Sequence, residues 1–177
     1  MSKTQYLELK GIIEWAKVFK ENRDMVGYRN AFVPYDGACT VDIFLDKDNL
    51  KILKDSGSSM ELDKKDRKSD KGYKVKFNRR FLDEANPRNG GAPSVVKFDG
   101  SPWSLDEDGL IGNGSLGIVY ISMFESKDGS NIIHRLDGLQ ILEHVEYDGE
   151  FSSGPQFKDY SDTYGMSKET LENEIPF

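Results

Sequence analysis

From Lys64 to Arg80 the chain reads KKDRKSDKGYKVKFNRR, and its second half sets Tyr73, Val75 and Phe77 in alternation with Lys74, Lys76, Asn78 and Arg80. In a β-strand that period of two sends the two sets to opposite faces. A row of cations interleaved with aromatic rings suits one chemistry in particular, the binding of a single-stranded polyanion. Ammonium and guanidinium groups neutralise phosphates and release counterions, and ring faces accept stacked bases at roughly 1–3 kcal/mol each. The same pattern also suits a solvated edge strand protected by its lysines, with Tyr73, Val75 and Phe77 as core. Between Lys47 and Arg80 twelve Lys/Arg stand against six Asp/Glu, a local net of +6 in a chain of net charge −7. The candidates for phosphate contact are Lys74, Lys76, Arg79 and Arg80, with Lys10, Lys17 and Arg29 added from an earlier strand and its following loop. The candidates for stacking are Tyr73, Phe77 and Trp103, with Trp15 and Tyr35 behind them. Phe77 has the strongest claim of these to a core position, whereas Trp103 sits in the turn-rich run Gly100 to Ser104, where a large ring is harder to explain as core.

The negative charge lies elsewhere. From Asp148 onward there are seven Asp/Glu and two Lys, a net of −5, which leaves about −2 for everything before it. The segment closes with Glu172-Asn173-Glu174-Ile175-Pro176-Phe177. A terminal Phe can act as a peptide anchor, its ring filling a pocket while its carboxylate meets basic groups. Glu172, Glu174, Ile175, Pro176 and Phe177 are therefore candidates for binding a protein partner, the plainer reading being a frayed terminus. A net-acidic chain is repelled by polyanions unless it segregates its charge. Here a basic groove and an acidic tail stand apart, and such a tail can compete for the groove and recruit partners. That layout is the main physical argument for single-stranded nucleic-acid binding.

Catalytic patterns are weak. There is no Gly-x-Ser-x-Gly, no Gly-x4-Gly-Lys-Ser/Thr and no HExxH. His134 and His144 are too few and too far apart for a His-rich metal site. Gly112-Asn113-Gly114-Ser115 opens onto a strand, so it lacks the helix dipole of a phosphate loop. The acidic run Asp106-Glu107-Asp108 reads as an exposed turn. Cys39, the single cysteine, lies among Ala38, Thr40 and Val41 as a buried strand residue would, which points to a reducing compartment and a cytoplasmic location, the host cytoplasm if the protein is viral. No run of 18 apolar residues and no export pattern is present. The expectation is a binding protein without metal or cofactor. Two other classes stay open: a metal-dependent nuclease or recombination enzyme, with Asp42, Asp99 and Asp106 to Asp108 converging on a basic channel, and a protein-interaction adaptor that binds no nucleic acid.

The elements that would position these residues are mostly strands. Length and composition predict one domain over 1–147 and a flexible interaction tail over 148–177. Leu7 to Phe19 predicts a long bent strand with Gly11 as a bulge. Thr40 to Leu45, Tyr73 to Phe81, Ser94 to Phe98, Ser115 to Phe124 and Ile132 to Tyr147 predict further strands, the last two joined as an antiparallel hairpin across Asp128-Gly129-Ser130. Asp48 to Lys54 predicts a short helix ended by Gly57. Ser56 to Lys71, poor in apolar residues, predicts a mobile excursion. Five to six strands and one helix fit a small antiparallel barrel better than a parallel sheet.

The stretch Ile111 to Tyr147 (IGNGSLGIVYISMFESKDGSNIIHRLDGLQILEHVEY) resembles the phage-encoded single-stranded DNA-binding proteins of the podophage type: a Gly-rich entry, a strand, a loop and a closing strand before an acidic tail. The tip Glu174-Ile175-Pro176-Phe177 is also similar to the Ile-Pro-Phe ending of bacterial single-stranded DNA-binding proteins, with Asn173 interrupting its carboxylates. The resemblance covers the C-terminal half well and the first 110 residues in outline. It implies an OB-fold core that binds single-stranded DNA without reading its sequence. It also implies service in replication and recombination and recruitment of polymerase or helicase through the tail; an OB core can work as monomer, dimer or tetramer, so a homo-oligomer stays open.

Overall fold

Period-two burial builds this molecule. In β1 (Gln5–Lys17) Leu9 and Ile13 are fully buried while Glu8 and Lys10 are exposed. In β4 (Gly72–Arg80) Tyr73, Val75 and Phe77 turn inward while Lys74 and Lys76 turn out. The computed structural model describes residues 3–62, 65–84 and 87–147. The chain divides into Met1–Tyr147 and Asp148–Phe177. The second unit lies outside the described residues, and so do the partner-binding candidates Glu172, Glu174, Ile175, Pro176 and Phe177.

Among the described residues seven strands form one sheet. Besides β1 and β4 these are β2 (Ala38–Leu45), β3 (Lys68–Ser69), β5 (Ser94–Val96), β6 (Ser115–Glu125) and β7 (Ile132–Glu143), in the order β3-β4-β2-β1-β6-β7-β5. A parallel contact between β4 and β7, Asn78 opposite Arg135, joins the two sides and closes a ring through β1, β2, β4, β7 and β6. The fold is therefore an OB-like, mostly β barrel. The β6–β7 hairpin is antiparallel over its whole length, as its turn residues predict. Besides short 3-10 turns, the described residues add two elements to the sequence reading: β3, two residues long, and a second α-helix, α2 (Leu105–Asp108), of four. Both are too short to show a period. The first helix, α1 (Lys47–Asp55), starts where the Asp46 side chain accepts the Asn49 N–H at 2.8 Å, and it sends Leu53 into the core.

Two expectations are corrected. Gly11 is no bulge: it pairs in register with Leu45 on one side and Gly117 on the other. Glycine is required there because a Cβ would stand 2.1 Å from the Phe44 carbonyl oxygen. The irregularity of β1 comes later, between Glu14 and Lys17. The stretch from Ser56 to Lys71 is tethered where it is described. Leu62 is 6 % exposed and belongs to the core, Tyr73 donates its hydroxyl to the Glu61 carbonyl at 3.1 Å, and Ser58 Oγ lies 2.7 Å from His134 Nε2. A buried leucine and two hydrogen bonds hold it. Cys39 is buried as expected, and burial pushes its thiol up to about 11.

Candidate nucleic-acid interface

On the outer face, the registers of β1, β2 and β4 lay the candidate residues out in rows. Lys74 stands opposite Phe44, and Phe44 opposite Ile12. In the next row Lys76 faces Asp42, and Asp42 faces Glu14. Asn78, Thr40 and Lys17 follow, then Arg80, Ala38 and the bridge partner Asp24. Lys74, Lys76 and Arg80 thus line one outward edge over about 20 Å at the rise of a strand, with Lys17 beside them. Lys74 Nζ is 3.3 Å from Asp42 Oδ2, and Lys71 is paired with Glu14. Lys74, Lys76 and Arg67 surround Asp42 in a cavity of about 340 Å³.

Trp15 is the pivotal residue of this face. Regular alternation from Ile13 would carry Trp15 into the core. The bulge between Glu14 and Lys17 shifts the phase, so that Glu14 and Trp15 both point away from the core and Ala16 and Val18 are buried in their place. Trp15 is left 55 % exposed with φ of 50°. A positive φ on a bulky residue costs about 1–3 kcal/mol, and it persists here because distant groups fix it. The Trp15 N–H donates to Asn113 Oδ1 at 2.8 Å, and the Gly114 N–H donates to the Ile13 carbonyl at 2.9 Å. The Gly112-Asn113-Gly114-Ser115 run is thus the clamp that holds a strained tryptophan outward.

The β1–β2 loop continues the surface past the end of β4. Its backbone is joined to the chain after β4 by Phe81 N–H to Gly37 O at 2.9 Å and Leu82 N–H to Tyr35 O at 2.7 Å. The Arg80 guanidinium lies 4.1 Å over the Tyr35 ring, Arg23 lies 4.1 Å over Phe81, and Arg29 lies 5.0 Å from the centre of Tyr28. Tyr28 is 79 % exposed. Arg29 and Asn30 both adopt positive φ, at 53° and 63°. Burial pushes the Asp24 carboxyl up, yet the Val26 and Gly27 N–H groups and the charges of Lys17 and Lys76 bring it below the ordinary carboxylate value. Cationic groups converge on this end, layered with rings that are not core.

The surface therefore gathers Trp15, Lys17, Arg29, Tyr35, Lys74, Lys76 and Arg80, and it leaves out five of the proposed residues. Tyr73 and Phe77 are 4 % and 1 % exposed, the inner face of their strand, and offer no ring to a base. Trp103 is half-buried against the core: its Nε1–H donates to the Gly109 carbonyl at 2.9 Å, and its ring meets His144 edge-on at 4.8 Å. Arg79 is a strut. It donates to the carbonyls of Gly90, Arg88 and Leu136 and pairs with Asp137 at 3.4 Å, and burial followed by the Arg135 charge lowers its pKa. Arg79→Ala is expected to cost about 1–3 kcal/mol in denaturant unfolding, because it takes the donor from the part-buried Gly90 and Leu136 carbonyls and breaks the pair with Asp137; an unchanged midpoint would contradict that role. Lys10 is exposed, but it lies seven residues from Lys17 at the α1 end of β1, where its N–H donates to Asn49 Oδ1. Sequence reasoning missed Tyr28 and Arg67, both in segments without periodicity.

Of the acidic residues weighed for metal chemistry, Asp99 and Asp108 are engaged close by. Asp99 accepts from Ser101 in its own turn, and Asp108 accepts the Ser104 N–H at 2.8 Å and pairs with Lys97 at 3.2 Å. Among the described residues no group of three or more His, Cys, Asp or Glu side chains could hold a metal ion. No helix among them is long and apolar enough to cross a membrane.

No family model matches this sequence, and no curated protein matches it. Solved structures do match in fold. The single-stranded DNA-binding protein from bacteriophage Enc34 superposes with a TM-score of 0.51 at 13 % identity, over 90 % of this chain and 89 % of that one. The same phage protein in complex with single-stranded DNA gives 0.51 at 11 % identity, over 81 % and 89 %. For gp2.5, a single-stranded DNA-binding protein encoded by bacteriophage T7, the TM-score is 0.50 at 14 % identity, over 89 % of this chain and 100 % of the other. At such identities the likeness is one of fold, and the fold of this chain is the one these phage proteins share.

Proposed function

We propose that this chain is a sequence-tolerant single-stranded DNA-binding protein of the phage type, not an enzyme, serving replication and recombination in the host cytoplasm. The observation that carries the reading is Trp15, a tryptophan turned out of the core at a cost in backbone strain and set beside a cationic row. Trp15, Tyr28 and Tyr35 are the stacking faces, and Lys17, Arg29, Lys74, Lys76 and Arg80 hold the phosphates. The shared fold supports the reading, since its solved relatives include a complex with single-stranded DNA. The tail from Asp148 is proposed to recruit replication proteins such as polymerase or helicase through Glu172, Glu174, Ile175, Pro176 and Phe177, its ring and carboxylate acting as one anchor.

Polarisation of labelled oligo-dT, with unlabelled duplex as competitor, tests the body. Binding that weakens steeply with salt and resists duplex competition is expected. Failure to bind would favour the adaptor, and Mg²⁺-dependent shortening of the oligonucleotide would favour the nuclease. Removing Asp148 to Phe177 takes away a net charge of −5 and is expected to tighten binding at low salt. Weaker binding after truncation would mean that the tail contributes to the DNA site.

A further inference from the structure

Resting on that reading, we infer that the surface is not blind to bases: Asp42 is a base-reading acceptor that favours amino-bearing bases over thymine and uracil at one position of the bound strand.

Asp42 sits midway along β2 on the face that carries the cations, between Lys76 on β4 and Glu14 on β1. Its side chain is 4 % exposed. Oδ2 has Lys74 at 3.3 Å, but Oδ1 is buried with no hydrogen-bond partner. A buried, unsatisfied carboxylate oxygen is expensive and rare in a settled fold. Leaving it beside a cavity lined by Lys74, Lys76 and Arg67 points to a ligand that brings a donor and negative charge together. Lys74 meets Oδ2 and not Oδ1, and its half-exposed side chain has room to reach a phosphate at the mouth of the cavity.

A nucleotide with an exocyclic amine has that pairing. Cytosine offers N4, adenine N6 and guanine N2 as donors to a carboxylate, with the phosphate a few ångströms away for the lysines and Arg67. Thymine and uracil present two carbonyl acceptors flanking a single N–H, and those carbonyls meet the carboxylate as like partial charges. Trp15, next in sequence to the Glu14 that faces Asp42, is placed to stack a neighbouring base. A divalent cation bridging Asp42 and Glu14 to a phosphate is disfavoured by the surrounding Lys71, Lys74, Lys76 and Arg67.

The test compares oligo-dC with oligo-dU on the full chain, at fixed salt, mildly alkaline pH and in the presence of a chelator. The two strands share ring size and backbone and differ only at the C4 and N3 edge. The wild-type protein is expected to prefer oligo-dC by about fivefold. Asp42→Leu, close in shape but without acceptors, is expected to bring the ratio to about one while tightening oligo-dU binding. Asp42→Asn keeps one acceptor and the volume, and serves if the leucine variant does not fold; its ratio is expected to fall by half or more. Firm binding of both strands with a wild-type ratio near one would overturn the inference and leave single-strand binding standing. So would a preference seen only without chelator, or variants that tighten both strands equally and keep the ratio. No binding of either strand would overturn the reading it rests on.

Discussion

Replacing Trp15 with glycine is expected to weaken single-strand binding by about tenfold or more while leaving the fold as stable as before, or more so. The two halves of that result have separate causes. Stacking a base on an exposed indole is worth roughly 1–3 kcal/mol, and glycine removes it. Stability moves the other way because φ of 50° is nearly free for glycine and costs a bulky residue about 1–3 kcal/mol, offset in part by the extra entropy glycine loses on folding. The ring is more than half exposed, so little core packing is lost. Oligonucleotide polarisation beside thermal unfolding checks both. A variant that unfolds more easily yet binds as before would make Trp15 a structural residue.

Changing Lys76 and Arg80 together to alanine is expected to reduce affinity by about tenfold or more, nearly uniformly across sequences, and to flatten the salt dependence. Each phosphate contact on a single strand contributes about 0.7 to the slope of log affinity against log salt, so losing two lowers it by about 1.4. Both side chains are exposed, Lys76 in the row of Asp42 and Arg80 over the Tyr35 ring, and stability should move little. An unchanged slope would shift the phosphate path to a part of the surface that uses neither Lys76 nor Arg80.

Much of the barrel was legible in the sequence because burial there follows local period. The alternation around Val75 specifies β4, and helical spacing stopped by Gly57 specifies α1, though not its start at the Asp46 cap. The faces of β4 are legible too: the phase that turns Lys74 and Lys76 out makes Tyr73 and Phe77 core, against their candidacy as stacking rings. Arg79 continues that inward phase after Phe77, a signal that it would be consumed as a strut and not offered to phosphate. Trp15 was harder. Its exposure depends on a bulge clamped by Asn113, 98 residues away, and no window of local sequence contains both. The loop cations stacked on Tyr28, Tyr35 and Phe81 depend in the same way on the chain before β2 meeting the chain after β4. Local patterning settles strands; long-range hydrogen bonds settle which rings face out.

The measurement that bears most directly on the outward tryptophan is fluorescence titration of a Trp103→Phe variant, in which Trp15 is the one indole left. Oligo-dT should quench it, the matching duplex should not, and about 0.2 M salt should shift the titration to higher DNA concentration. An emission that single-stranded DNA leaves unchanged, in a protein that still binds it, would contradict stacking on Trp15 and with it the placement of the site.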